Sequence, residues 1–118
     1  MLKRINRLTK TKEIQKLLKN GRSFYCPYFM FKILPNEKAL LRLGVIVSNK
    51  VSKKATQRNL IKRRLREIIR LSLKELKPGY DLIILASPRI IDPVTKKVLS
   101  YEQIKSQLLN LLYKGGIL

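Results

Sequence analysis

Apolar residues recur every three or four positions in three segments of the chain, and this spacing predicts three amphipathic helices. The first ends near residue 20, with Thr9 or Thr11 as its cap. The second spans residues 57–76, and a capping box at Ser100 opens the third. The predicted apolar faces are Ile14, Leu17 and Leu18 in the first helix, Ile61, Leu65, Ile68, Ile69 and Leu76 in the second, and Ile104, Leu108, Leu111 and Leu112 in the third.

Between the helices the pattern changes to alternating or continuous apolar runs, which are typical of strands. The aromatic segment of residues 22–34 divides into two strands near Tyr28, with Pro27 marking a break or an edge. Residues 39–48 and 80–88 are near-continuous apolar runs, so we expect both to be buried on both faces. The order α-β-β-β-α-β-α predicts an α/β fold with one layer of sheet, four-stranded and mixed, packed with helices.

Composition indicates a single domain over residues 1–118 that needs a polyanion. Lys and Arg outnumber Asp and Glu by 27 to 7, a net charge of +20 that is self-repelling unless a partner neutralises it. We expect the basic arm of residues 1–8 to be partly mobile. The chain shows no apolar run of membrane-spanning length and no signal-peptide pattern, so we expect a cytoplasmic protein without a membrane partner. The single Cys26 and the absence of His exclude an internal disulfide and a Cys/His zinc site.

The acidic residues argue against a protein nuclease. Metal-dependent phosphodiester cleavage needs clustered carboxylates, and no two of the seven acids lie within five residues of each other. Asp81 opens a predicted strand, but no acid-x-Lys pattern follows it. We therefore expect no catalytic residue and no metal site in the protein itself.

The second helix carries the most informative charge pattern. At 100° per residue, Asn59, Arg63, Arg66, Arg70 and Lys74 project opposite its apolar stripe, while Arg58 and Lys62 flank that stripe as a shoulder. Solvated helix faces usually mix both signs, because like charges four residues apart repel. Phosphates would supply the missing charge, and a helix embedded in a sheet domain suits RNA better than the DNA major groove. The same composition would permit a ribosomal or other structural-RNA-binding protein, which is the alternative function. A membrane-active cationic protein is disfavoured because the buried strands predict a globular core.

The segment R58-N59-L-I-K62-R63-x-x-R66-E67, after the strand R-L-G-V-I-V-S, resembles the RNR signature of the bacterial ribonuclease P protein subunit. The opening N6-R7-L8 and the helix ending K-N-G21 resemble that family too, so the likeness covers nearly the whole chain. It implies a protein that binds a catalytic RNA and precursor tRNA, within a ribonucleoprotein endoribonuclease that removes the tRNA 5′ leader. It also implies that the RNA holds the catalytic Mg²⁺, and that a left-handed β-α-β crossover passes through the basic helix.

The resemblance also assigns the sites. The residues expected to bind the catalytic RNA are Lys50, Lys53, Lys54, Arg58, Asn59, Lys62, Arg63, Arg66 and Arg70. A cleft between the first helix and the sheet is expected to hold the leader, with Ile14, Leu18, Tyr28, Phe29, Lys32, Arg58 and Lys62 as candidates.

Two departures from the family pattern affect these assignments. Ile14 and Leu18 stand where the family often has aromatic residues, so core packing is an equal alternative for them. The stacking residue is then one of Tyr25, Tyr28, Phe29 and Phe31. The loop of residues 48–57 is one residue longer than usual, which leaves open which lysine meets which phosphate.

Overall fold

The computed structural model describes residues 2–118. Its helices are α1 (Thr11–Asn20), α2 (Ala55–Ser72) and α3 (Tyr101–Lys114), and its strands are β1 (Arg22–Tyr25), β2 (Phe29–Pro35), β3 (Arg42–Ile46) and β4 (Tyr80–Ala86). Single 3₁₀ turns occur at Arg4–Asn6 and Pro88–Ile90. The predicted order of elements is confirmed, including the division of the aromatic segment into two strands.

The four strands form one mixed sheet in the order β1-β2-β4-β3. The β1–β2 hairpin is antiparallel, β2 pairs antiparallel with β4, and β4 pairs in parallel with β3. Two adjacent parallel strands are therefore joined through α2, as the resemblance implied. The left hand of this crossover stays a prediction.

Side chains of the sheet alternate between two faces because successive residues of a strand point in opposite directions. Leu82 and Ile84 of β4 lie in the larger core with Phe31 and with the buried stripes of α2 and α3. Ile83 lies on the other face, in a smaller core with Leu17 of α1 and its neighbours. The sheet thus has α1 on one face, and α2 and α3 on the other.

The expectation of full burial is confirmed only for residues 81–84 of β4, since Tyr80, Leu85 and Ala86 are half-buried, and it is wrong for β3. The sheet order places β3 at an edge, where Leu43 is buried but Val45 and Ile46 are only half-buried. The amino-terminal segment covers part of this edge, since the Leu8 amide donates to the Leu43 carbonyl at 2.8 Å.

The partial mobility expected of the basic arm stays a prediction. Its residues 2–8 do contact the rest of the fold, and Met1 lies outside the described residues. Leu2 is buried in the larger core, and the Arg7 guanidinium donates to the Leu2 carbonyl at 3.0 and 3.2 Å. Asn6 Nδ2 donates to the Leu41 carbonyl at 2.7 Å. Apolar burial and these hydrogen bonds hold the segment beside β3, despite its charge.

The helix boundaries depart from prediction at three places. Lys10 precedes the first residue of α1, so neither Thr9 nor Thr11 is the cap, and no side chain caps this helix. The basic helix α2 begins two residues before position 57 and ends four before position 76, so Leu76 is buried in the turn beyond it. The capping box of α3 is confirmed, because the Ser100 hydroxyl accepts from the Gln103 amide and Gln103 Oε1 accepts from the Ser100 amide.

Gly21 follows α1 for a steric reason. Its backbone is extended, with φ −70° and ψ 151°, so it is not needed for a left-handed turn. A Cβ at this position would lie 2.6 Å from the Leu17 carbonyl oxygen and 3.2 Å from that of Ile33. A glycine therefore lets the end of α1 approach β2 closely, which sets the position of α1 above the sheet.

Candidate nucleic-acid interface

One side of α2 is exposed and cationic, and we call it the basic face. It consists of Asn59, Arg63, Arg66 and Arg70, which are all exposed, while Ile61, Leu65, Ile68 and Ile69 are buried on the opposite side. The orientation that the apolar period predicted is confirmed. Lys74 is also exposed, but it lies in the turn after the helix.

The arginines of the basic face differ in their partners. Arg70 donates two hydrogen bonds to Glu67, from Nε at 3.0 Å and from Nη2 at 2.5 Å. Hydrogen bonding by Arg70 lowers the pKa of the Glu67 carboxyl, and the same bonds raise the pKa of Arg70. Within residues 2–118, neither Arg63 nor Arg66 has a hydrogen bond or an ion pair through its side chain, so both can take an external anion.

The loop of residues 48–54 extends the cationic surface beyond the start of α2. Lys50, Lys53 and Lys54 are exposed, whereas Val51 is buried in the larger core and anchors the loop. The Ser52 hydroxyl donates to Gln57 Oε1 at 2.6 Å and accepts from the Lys54 amide at 3.1 Å. These bonds fix the loop backbone, so the lysine side chains extend from an ordered loop.

The shoulder residues Arg58 and Lys62 are half-buried, in agreement with their predicted place beside the apolar stripe. Arg58 Nη1 donates to the Ser52 carbonyl at 2.9 Å, which ties the first turn of α2 to the loop. Arg64 was not singled out from the sequence. Its guanidinium donates to the Leu99 carbonyl before α3, so its role is structural.

Three of the residues predicted to line a leader cleft, Ile14, Leu18 and Lys32, lie on the α1 face of the sheet. Ile14 and Leu18 are half-buried there, packed against the smaller core. Lys32 Nζ donates to the Leu18 carbonyl at 2.5 Å, so a cation satisfies a carbonyl in the last turn of α1. These three candidates do lie together, at the boundary between α1 and the sheet.

The prediction is wrong for two other cleft candidates, Phe29 and Tyr28, because neither lies on the α1 face. Phe29 is 1% exposed and lies in the larger core, on the face away from α1. Tyr28 lies in the turn after β1 and borders a surface depression with Leu99 and Gln103, on the α3 side. The sequence alone does not predict these positions, because it does not show to which face of the sheet the side chain of Phe29, the first residue of β2, points.

The register of the sheet places on the α1 face four residues that were not among the predicted cleft residues. Tyr25 of β1 pairs with Met30 of β2, Met30 pairs with Leu85 of β4, and Leu85 pairs with Ile46 of β3. Directly paired residues point to the same face, so these four form one row across the α1 face, which we call the apolar row. Tyr25 had been only one of four aromatic candidates, and the alternation of the hairpin was the signal for Met30.

A partly buried ion cluster joins α1, β3 and β4. Arg42 donates to both oxygens of Asp81, at 2.8 and 2.7 Å, and to Glu13 Oε2 at 2.6 Å. Asn36 Nδ2 adds a bond of 2.8 Å to Asp81. Hydrogen bonding by Arg42 lowers the pKa of Glu13, and the bonds to Asp81 and Glu13 raise the pKa of Arg42. These carboxylates therefore neutralise an arginine.

The part of the chain that the structure describes, residues 2–118, contains no group of three Cys, Asp or Glu side chains that could hold a metal ion. None of its helices is both long and apolar enough to span a bilayer.

Comparison with known proteins identifies the family. The family model described as Ribonuclease P matches residues 2–115. The chain belongs to the ribonuclease P protein family. It is 39% identical to the ribonuclease P protein component of Clostridium botulinum (strain Loch Maree) over 113 residues, 95% of this chain and 96% of that protein. The same component of Clostridioides difficile is 34% identical over 111 residues, 93% of this chain and 91% of that protein.

Solved structures agree with this assignment. The ribonuclease P protein of Staphylococcus aureus superposes with a TM-score of 0.84 at 27% identity, covering 95% of this chain and 96% of that one. The protein from Thermotoga maritima gives a TM-score of 0.81 at 29% identity, covering 92% and 96%. Family members are the protein part of a ribonucleoprotein endoribonuclease that processes the tRNA 5′ leader, and they work with the ribonuclease P RNA and precursor tRNA.

Proposed function

We propose that this chain binds the catalytic RNA of ribonuclease P through the basic face and the 48–54 loop, and that the cleft beside α1 receives the 5′ leader of precursor tRNA. The observation that carries the proposal is the pair Arg63 and Arg66, exposed on one side of α2 without a protein acceptor among the described residues. Arginines in this state bind phosphate oxygens in bidentate geometry. Lys50, Lys53 and Lys54 add point charges to the same surface, and Arg58, Asn59, Lys62 and Arg70 complete the proposed RNA contacts.

The proposal assigns the Mg²⁺ ions to the RNA partner. Mg²⁺ sites use carboxylates that can offer oxygens to the metal. In this protein Arg42 binds both oxygens of Asp81 and one oxygen of Glu13, so both carboxylates already neutralise a cation. The protein then contributes affinity and positioning, and the complex is expected to act in the cytoplasm, where this proposal places both RNA partners.

Reconstitution tests the proposal. The protein is combined with the ribonuclease P RNA of a related bacterium at low Mg²⁺, and cleavage of precursor tRNA is followed. We expect the protein to restore cleavage that the RNA alone performs poorly under these conditions, because cationic side chains replace some of the screening that Mg²⁺ provides.

The protein without RNA is the control, and we expect it to leave precursor tRNA intact with any divalent metal. Cleavage by RNA-free protein that Asp81→Ala abolishes would restore the nuclease hypothesis. Failure to raise cleavage with any ribonuclease P RNA would refute the proposal.

A further inference from the structure

Tyr25 stands apart from the neighbouring aromatic residues. It is 68% exposed although it belongs to a strand, and its cross-strand partner is Met30. Its neighbour Phe24 points to the opposite face, where it stacks on Phe31 with ring centroids 5.0 Å apart. Alternation along β1 therefore directs the Tyr25 ring to the α1 face.

The other aromatic candidates cannot take the same role. Phe29 and Phe31 are 1% and 0% exposed in the larger core, and Tyr28 borders the depression beside α3. Tyr25 is thus the one residue among the four stacking candidates, all of which lie within residues 2–118, that is exposed on the α1 face.

The surroundings of Tyr25 suit a nucleobase. The apolar row continues from Tyr25 through half-buried Met30 and Leu85 to Ile46, so one open edge of the α1 face has a continuous apolar floor. α1 covers the two neighbouring rows on this face. Lys32, in the first of these rows, binds the Leu18 carbonyl near the end of α1, and Arg42, in the second, binds Glu13 near its start.

One cation borders this floor, and another follows its last residue in the chain. Lys32 is one row from Met30 on the same face, and exposed Lys50 follows Ile46 by four residues in the basic loop. Single-stranded nucleic acids bind where aromatic rings offer stacking and basic residues follow the backbone. Ile46 of the apolar row lines one depression together with Arg66 of the basic face, so the row borders the phosphate-binding surface proposed above.

We propose that Tyr25 is the stacking platform for one base of the 5′ leader, supplied from the edge strand β1 instead of from α1. The inference rests on the proposed function, since it assigns a contact within the same cleft. A ring at this position contacts a base face without reading its hydrogen-bonding groups, so the contact adds affinity for a leader with little base selectivity.

The test compares binding of precursor tRNA and mature tRNA to the assembled enzyme at one salt concentration. Tyr25→Ala should weaken binding of precursor tRNA by between about 5-fold and 150-fold, the range expected for losing one stacked base, and leave mature tRNA unaffected. Tyr25→Phe should bind like wild type because the ring remains. Tyr25→Thr keeps the β propensity without the ring and should behave like Tyr25→Ala.

Two controls separate stacking from structure. Tyr113→Ala removes an equally exposed ring, 71% exposed on α3, and should change neither affinity. With 2-aminopurine placed at successive leader positions, one position should show fluorescence quenching that Tyr25→Ala and Tyr25→Thr abolish.

The outcomes distinguish the two proposals. If Tyr25→Ala and Tyr25→Thr keep the wild-type preference for precursor tRNA, the stacking role is wrong while leader binding stands. If Tyr25→Phe loses the preference as Tyr25→Ala does, the hydroxyl acts and stacking is again wrong. A wild-type enzyme with no preference for precursor tRNA refutes both leader binding and the role of Tyr25.

Discussion

At the scale of the residue, Arg42 does the most to position the cleft. Its side chain is 12% exposed and holds Asp81 of the central strand together with Glu13 of α1. An arginine can satisfy two carboxylates at once because its donors form a planar fork. The same residue therefore neutralises a buried acid and fixes the start of the helix that forms one wall of the cleft.

Replacing Arg42 by Ala should lower the free energy of unfolding by about 3–5 kcal/mol, since it leaves the Asp81 carboxylate buried without its main partner. Urea denaturation at neutral pH measures the loss. Lys38→Ala is the control: its side chain is exposed, and we expect a change within about 0.5 kcal/mol. If Arg42→Ala lowers the free energy of unfolding by no more than Lys38→Ala does, the pair of Arg42 and Asp81 is not stabilising.

Glu13 should make stability depend on pH in the acid range. Hydrogen bonding by Arg42 lowers its pKa below the ordinary value of 4.5, so the unfolded chain binds a proton at higher pH than the folded protein. The contribution is complete above the ordinary value and is lost as the pH falls through the lowered one.

Glu13→Gln removes this contribution and provides the test. We expect the difference in unfolding free energy between wild type and Glu13→Gln to be largest near pH 7 and to shrink steadily below about pH 4.5. A difference that stays constant down to about pH 3 would mean that the carboxylate charge is not what binds Arg42.

At the scale of the element, α2 combines a buried stripe with a basic face that lacks interleaved acids. Glu67 binds Arg70, whereas Arg63 and Arg66 have no acceptor among residues 2–118. The positive charges of this face are therefore not balanced locally, and they form the exposed surface proposed to bind anions. Such a helix depends on its packing against the larger core more than on its own side-chain pairs.

The double variant Arg63→Ala/Arg66→Ala should weaken RNA binding and flatten its salt dependence, by about one unit of slope or less for each phosphate that the protein no longer binds. The melting temperature should hold or rise, because two mutually repelling charges are removed from a solvated face. Filter binding over a series of KCl concentrations gives the slope.

Arg70→Ala is the matched control on the same face. Its guanidinium is already bound to Glu67, so we expect a smaller loss of affinity than for Arg63→Ala or Arg66→Ala alone. If all three single variants weaken RNA binding equally, the internal ion pair does not compete with phosphate.

At the scale of the whole molecule, a net charge of +20 lies on a fold with two proposed recognition regions. α1 and α2 pack on opposite faces of the sheet, but the two regions meet at the β3 edge, where Arg66 of the basic face lines one depression with Ile14 of α1 and Ile46 of β3. The shoulder and the 48–54 loop lie between them in the chain, since Arg58 binds the loop that begins shortly after β3 ends. This arrangement would let one small domain contact the catalytic RNA and the leader together.

Arg58→Ala should therefore weaken binding of precursor tRNA to the assembled enzyme more than binding of mature tRNA. A charge-assisted hydrogen bond suggests a loss of about 1–3 kcal/mol. Arg70→Ala should show no such discrimination. The comparison needs both affinities for each variant at one salt concentration. An equal loss for the two tRNAs would mean that Arg58 only holds the loop through Ser52.

Much of the fold follows from local patterns in the sequence. The order of elements, the buried stripe and basic face of α2, and the capping box of α3 all depend on residues within a few positions of each other. Their physical cause is the period of the backbone, 3.6 residues in a helix and two in a strand, which any window of sequence displays. The candidate RNA-binding residues of α2 were predictable for this reason.

The tertiary structure alone decided what depends on distant pairing. Strand order placed β3 at an edge, against expectation, and the amino-terminal segment beside it. Arg42 meets Asp81 across 39 positions of sequence, and the Tyr25 ring joins Ile46 in one row only through two intervening strands. Which strands pair, and in which register, is set by the total burial of all the elements together. A local period carries no information about that choice, so only the folded chain showed which residues lie on the α1 face and that Tyr25 is the aromatic candidate exposed there.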